Sequence, residues 1–120
     1  MHCYRSIAVS IQAHDLLSLI ESESAPLVVD VRSGWEYRQG FVPGAINLPF
    51  WRSWLLNQAL KDGFGKPLVV YCEHGPRASL AKLFLRVRGF KDIQLLKGHM
   101  LGWRKHGLPI ETQHQEAVRE

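Results

Sequence analysis

Cys72, Glu73, His74, Gly75, Pro76 and Arg77 place a thiol, a carboxylate, an imidazole and a guanidinium within six consecutive residues. A cysteine and an arginine separated by four residues, with glycine and proline holding the turn between them, suit nucleophilic chemistry on an anionic substrate. The thiolate is the attacking form, and free cysteine ionises only near ~8.5, so such a site must favour charged sulfur. Arginine presents a planar fork to an oxyanion. A short loop of this composition turns successive backbone N–H groups inward as an anion nest. Cys72 is therefore the expected nucleophile, and Glu73, His74, Gly75, Pro76 and Arg77 the expected substrate-binding loop.

Two elements must position this loop. Before it, residues 68–71 (Leu-Val-Val-Tyr) form an apolar run introduced by Pro67, the pattern of a strand covered on both faces. After it, apolar residues at 80, 83, 84 and 87 keep the spacing of one helix face, which predicts a helix over 78–88 closed by Gly89. Cys72 thus sits at the carboxyl end of a strand, where open α/β sheets place ligands. It also faces the amino end of a helix, whose orphan N–H groups carry roughly half a unit of positive charge. The bland alternative is a core cysteine, a common fate of free thiols, and the strand–loop–helix context argues against it.

The remaining chain alternates strands with helical patterns. Residues 7–11 read as an edge strand and 13–20 as a first helix, followed by a polar break closed by Pro26. Residues 27–32 form a second buried run, and its Asp30 needs a partner; Asp30 and Arg32 are expected to brace the loop. A loop with one helical turn is expected over 33–40, a Pro-Gly turn over 41–44, a third strand over 45–49 and a long helix over 50–60. Residues 62–67 return the chain to the central strand, 93–96 form the last strand and 100–106 a short final helix, with a frayed polar tail at 112–120. This order predicts an α/β fold, a five-stranded, mainly parallel sheet with helices on both faces. A single domain is expected over 1–120, its core at about 7–110.

Composition limits the partners. Hydrophobic residues at 46% and charged residues at 22% are ordinary for a globular domain. The net charge of +4 is spread along the chain, without the basic stripe and interleaved aromatics of a nucleic-acid binder, and suits small anionic substrates. Two cysteines, Cys3 and Cys72, make no disulfide framework and no zinc pair; neither metal nor cofactor is expected. Without a signal-peptide core or an apolar span, the expected location is the cytoplasm, away from membranes, and a monomer suffices. Cys3 is expected to be an idle thiol. Trp35, Trp51, Trp54 and Trp103 are expected in the core or rim, with Trp35 and Trp103 as candidate pocket walls.

Four stretches, residues 27–32 (LVVDVR), 43–49 (PGAINLP), 71–77 (YCEHGPR) and 88–103 (RGFKDIQLLKGHMLGW), together resemble the rhodanese family in order and spacing from about residue 11 to 110. The resemblance implies a single-domain rhodanese-like fold and sulfur transfer through a persulfide on Cys72, from thiosulfate or a persulfide to a thiophilic acceptor: a thiol, cyanide or a protein. Three positions depart from the common pattern: Phe41 where histidine is frequent, His99 where a second glycine is common, and Ala78 where serine is usual. These departures bear on the substrate rather than on the nucleophile. Two competing readings are a cysteine phosphatase or arsenate reductase, whose loops carry five residues between cysteine and arginine rather than four, and a sulfur-relay module for a protein partner. Arg77 either forks onto an oxyanion or ties to Asp30 or Glu36. His74 is expected at the rim, and Glu73 to point into solvent.

Overall fold

The structure, a computed structural model, describes residues 9–55 and 67–113. Five strands form one sheet: β1 (Ser10–Ile11), β2 (Leu27–Asp30), β3 (Ile46–Asn47), β4 (Leu68–Tyr71) and β5 (Ile93–Leu96). They lie in the order β1-β5-β4-β2-β3, and every pairing is parallel. One row of residues, Ser10, Leu95, Val70, Val29 and Ile46, crosses the whole sheet in register. Parallel strands need crossovers. Among the described residues four α-helices lie between or after the strands: α1 (Ala13–Glu21), α2 (Gly34–Gln39), α3 (Pro76–Val87) and α4 (His99–Lys105).

The central strand explains both layers. All four residues of β4 are buried, and the two-residue period of a strand sends alternate side chains to opposite faces. Val69 and Tyr71 join Leu16 of α1, Tyr37 of α2 and Met100 and Trp103 of α4 in one cluster. Leu68, Val70 and Cys72 join Ala78, Ala81 and Leu85 of α3 in the other. Cys72 therefore continues the alternation of β4 toward the α3 face, where the small Ala78 lets the helix approach it.

Most expected elements are present, and their bounds shift for local reasons. α3 starts at Pro76 rather than at residue 78, because proline at N1 is pre-set for a helix and lacks only an N–H that would be orphaned there. The helical turn expected within the loop at 33–40 is α2. Ser33 and Glu36 form a capping box, with the Ser33 hydroxyl accepting from the Glu36 N–H and the Glu36 carboxylate accepting from the Ser33 N–H. The described part of the helix expected over 50–60, Phe50–Leu55, is a 3-10 turn. Its tightness follows from the i to i+3 bond of Arg52 N–H to the Pro49 carbonyl, 2.7 Å. Residues 56–60 of that expectation, most of the 62–67 loop, Cys3, the start of the first strand and most of the polar tail lie outside the described residues. Trp103 is buried and donates its indole N–H to the Pro109 carbonyl at 2.8 Å, so it is a core residue rather than a pocket wall. Trp35 and Trp51 are exposed. No helix among the described residues is long and apolar enough to cross a membrane.

Candidate active site

The carboxyl end of β4 is held from both sides by β2 and β5, so Cys72 leaves a rigid base. The loop beyond it is tied to α4: Met100 N–H donates to the Cys72 carbonyl at 3.0 Å, and Leu101 N–H to the Glu73 carbonyl at 3.0 Å. Cys72 N–H donates to Nδ1 of His99 at 3.2 Å. Gly75, at φ +133°, holds a backbone conformation that only glycine adopts readily, and its N–H donates to the Cys72 Sγ at 2.9 Å. Gly75 also caps α3, its carbonyl accepting from Ser79 N–H at 3.0 Å. The sulfur is buried, faces an inward N–H and lies where the α3 amino terminus begins.

Two arginines frame the loop. Arg32 is buried with Asp30. Its Nε and one terminal nitrogen donate to both Asp30 carboxylate oxygens at 2.8–3.1 Å. The same terminal nitrogen donates to the Gly40 carbonyl at 2.6 Å, and the other to Glu73 Oε1 at 3.1 Å. Burial disfavours its charge, but the hydrogen bonds and charge of Asp30 outweigh that and hold the guanidinium above its ordinary value. Asp30 and Arg32, expected to brace the loop, are thus paired with each other, and Asn47 Nδ2 adds bonds to the Asp30 and Arg32 carbonyls, each 3.0 Å. Beside them Tyr71 accepts the Val42 N–H at 3.0 Å. Burial, with the charge of Asp30, pushes its phenol well up, so it stays neutral.

Arg77 forks onto Glu36, its two terminal nitrogens 2.7 and 3.0 Å from the two carboxylate oxygens. Of the two alternatives for Arg77, the described geometry is the tie to Glu36. Glu36 is held down to about 2, first by the Arg77 hydrogen bond, against opposing burial, with the Ser33 amide and hydroxyl adding to it. Arg77 is raised in turn, chiefly by Glu36 and also by the charge of Cys72.

The remaining loop residues divide. Glu73 does not stand free in solvent as expected: its carboxylate accepts from Arg32 and from Arg104 of α4, so its charge is spent on loop anchoring. His74 and Pro76 are exposed at the rim. His99 and Arg104 were not among the candidate site residues, and Glu36 was only a possible partner of Arg77. The Ser-x-x-Glu spacing at 33–36 marked Glu36 in the sequence; nothing local marked Arg104. Among the described residues no three His, Cys, Asp or Glu side chains gather as metal ligands.

A parallel sheet of order β1-β5-β4-β2-β3 with a cysteine-initiated loop at the tip of its central strand defines an α/β protein with a buried free thiol at the strand–loop junction. The family model for the rhodanese-like domain matches residues 12–106, and the chain belongs to that family. It is 34% identical over 85 residues to a sulfurtransferase of Allochromatium vinosum, covering 70% of this chain and 77% of that one. It is 32% identical to the thiosulfate sulfurtransferase GlpE of Actinobacillus pleuropneumoniae, over 87% of this chain and 94% of that one. A rhodanese-related protein of Thermoplasma volcanium superimposes with a TM-score of 0.70 at 32% identity, covering 86% of this chain and 97% of that structure.

Proposed function

We propose that this protein is a sulfurtransferase that moves a sulfane sulfur from thiosulfate or a persulfide to a thiophilic acceptor through a persulfide on Cys72. The observation that carries the reading is the Gly75 N–H donated to Cys72 Sγ at 2.9 Å, within a loop that leaves four residues between Cys72 and Arg77. A nest of that size suits one sulfur better than a tetrahedral phosphate. Family membership and the sulfurtransferase relatives support the same reading.

The chemistry divides into two displacements. The Cys72 thiolate attacks the outer sulfur of thiosulfate; a new S–S bond forms, the old one breaks, and sulfite leaves with the electron pair. The persulfide then meets an acceptor such as cyanide. Its carbon takes the outer sulfur, and the Cys72 thiolate departs with the electrons. In both steps negative charge moves along a line of sulfur atoms. The Gly75 N–H and the amino end of α3 supply fixed positive ends for that charge. Asp30, Arg32, Glu73 and Arg104 hold the loop in place, so the donors need little reorganisation during reaction. A reducing cytoplasm suits a site that depends on a free thiol, and a monomer suffices because every group named here comes from one chain.

The test sets cyanide-dependent thiocyanate release from thiosulfate beside hydrolysis of an aryl phosphate. Sulfur transfer that disappears in Cys72→Ser, with no phosphate release, is the expected result. Phosphate release without sulfur transfer would overturn the proposal in favour of a cysteine phosphatase.

A further inference from the structure

His99 joins α4 to the loop in an unusual way. It is one of two non-glycine residues at positive φ among the described residues, at +55°, and it follows Gly98 at +82°. Histidine tolerates this left-handed region better than most side chains do. The consecutive left-handed pair turns the imidazole toward the loop. Its Nδ1 accepts the Cys72 N–H at 3.2 Å. Its Nε2–Cδ2 edge lies against Gly75, where an added Cβ would sit 3.5 Å from Nε2 and 3.8 Å from Cδ2. One ring therefore spans from the amide of the nucleophile to the residue whose N–H touches the nucleophile's sulfur.

The tautomer follows from these contacts. An Nδ1 that accepts a hydrogen bond carries no proton, so the neutral ring bears its proton on Nε2. Burial, helped by the charge of His74, lowers the His99 pKa and favours that neutral ring. No hydrogen bond from Nε2 to a described residue is formed, and no buried side-chain nitrogen or oxygen of the described residues lacks a partner. Nε2–H thus opens to solvent beside Gly75. Arg77, the other candidate for anion recognition, has both terminal nitrogens on Glu36.

We propose that His99 is a specificity-determining residue for oxyanion-bearing sulfane donors, its Nε2–H donating a hydrogen bond to a sulfonate oxygen of the donor while its Nδ1 fixes the Cys72 amide. This rests on the sulfur-transfer reading above. No proton moves: sulfite leaves the transferred sulfur with the electron pair of the broken S–S bond, and the imidazole holds one of its oxygens during departure. The acceptor half-reaction, which involves no oxyanion, does not use this bond.

Four full-length proteins test it: wild type, His99→Gly, His99→Asn and His99→Gln. Each is assayed for the KM of thiosulfate and of cyanide, and by intact mass for the persulfide at saturating thiosulfate. Asparagine keeps an acceptor near the Cys72 amide and tolerates the left-handed backbone, but its amide is too short to replace Nε2. Glutamine reaches the Nε2 position. Loss of a hydrogen bond to a charged group corresponds to about a tenfold rise in the KM of thiosulfate. That rise is expected in His99→Gly and His99→Asn, with glutamine restoring most of it, and the KM of cyanide is expected to stay unchanged in His99→Asn, which keeps an acceptor at the Cys72 amide. A His99→Asn protein equal to wild type would overturn the role of Nε2, leaving only a brace at the amide. Equal rises in both KM values would overturn it as well, as the mark of a distorted loop. A wild-type chain that acquires no sulfur overturns the sulfur-transfer reading itself, a result distinct from an adduct with unaltered KM values.

Discussion

Arg32 and Arg77 each grip a carboxylate beside the same loop, but in different media. The Arg32 side chain is 3% exposed and binds Asp30, Glu73 and the Gly40 carbonyl. The Arg77 side chain and its partner Glu36 are both 27% exposed, and the fork has a single carboxylate to hold. A buried ion pair is costly to break, because the partner left behind is a charge without water. An exposed pair is screened and contributes little. The lesson is a division of labour. Arg32 keeps the end of β2, the α2–β3 connection and the loop in one arrangement, and Arg77 only trims the loop's outer edge.

Breaking the buried partner has the largest expected effect on stability. Arg32→Met strands the Asp30 carboxylate, and urea unfolding is expected to show a loss of about 3–5 kcal/mol. The double variant Asp30→Asn, Arg32→Met sharpens the comparison. It removes both charges and is expected to recover much of that loss; a double variant as unstable as the single one would mean that the bonds to Gly40 and Glu73 dominate instead.

Arg77→Ala is the matching change at the partly exposed pair. Its expected cost is below about 1 kcal/mol, with sulfur transfer retained and the KM of thiosulfate changed less than in His99→Gly. A larger rise in KM than at His99 would mean that Arg77 leaves Glu36 and forks onto the donor.

The smallest effect is in acid. Glu36 ionises at about 2 in the fold against 4.5 for the ordinary group. Its folded value is depressed, so its contribution to stability is present above pH 4.5 and fades as pH falls toward 2. Its partial exposure keeps that contribution small. Unfolding curves of wild type and Arg77→Ala are expected to converge as pH falls through that window. Curves that stay parallel would show that the difference between the two proteins does not come from the Glu36 charge.

The same contrast explains how much was legible in the sequence. The switch from a two-residue to a helical period around residues 68–87 revealed β4, the loop and α3, and with them Cys72, because those signals are local. Asp30 and Arg32 were readable as a pair, since a carboxylate in a buried run must be paired and its partner lies two residues away. The partner of Arg77 lies 41 residues off, and the sequence left open whether it would be Asp30, Glu36 or a substrate. His99 and the Cys72 amide are 27 residues apart; the histidine stood out only as a departure from glycine, and its contact depends on how α4 docks against the loop. Residues Phe50–Leu55 form a 3-10 turn rather than the start of an α-helix; apolar spacing alone does not distinguish i+3 from i+4 bonding.

The central claim is that Cys72 carries the transferred sulfur. Intact-mass measurement after incubation with thiosulfate tests it directly, comparing wild type with Cys72→Ser before and after cyanide is added. The expected result is a gain of one sulfur atom in wild type, discharged by cyanide, and none in the variant. A wild-type chain without the adduct, or a Cys72→Ser chain carrying the same adduct, would contradict the claim.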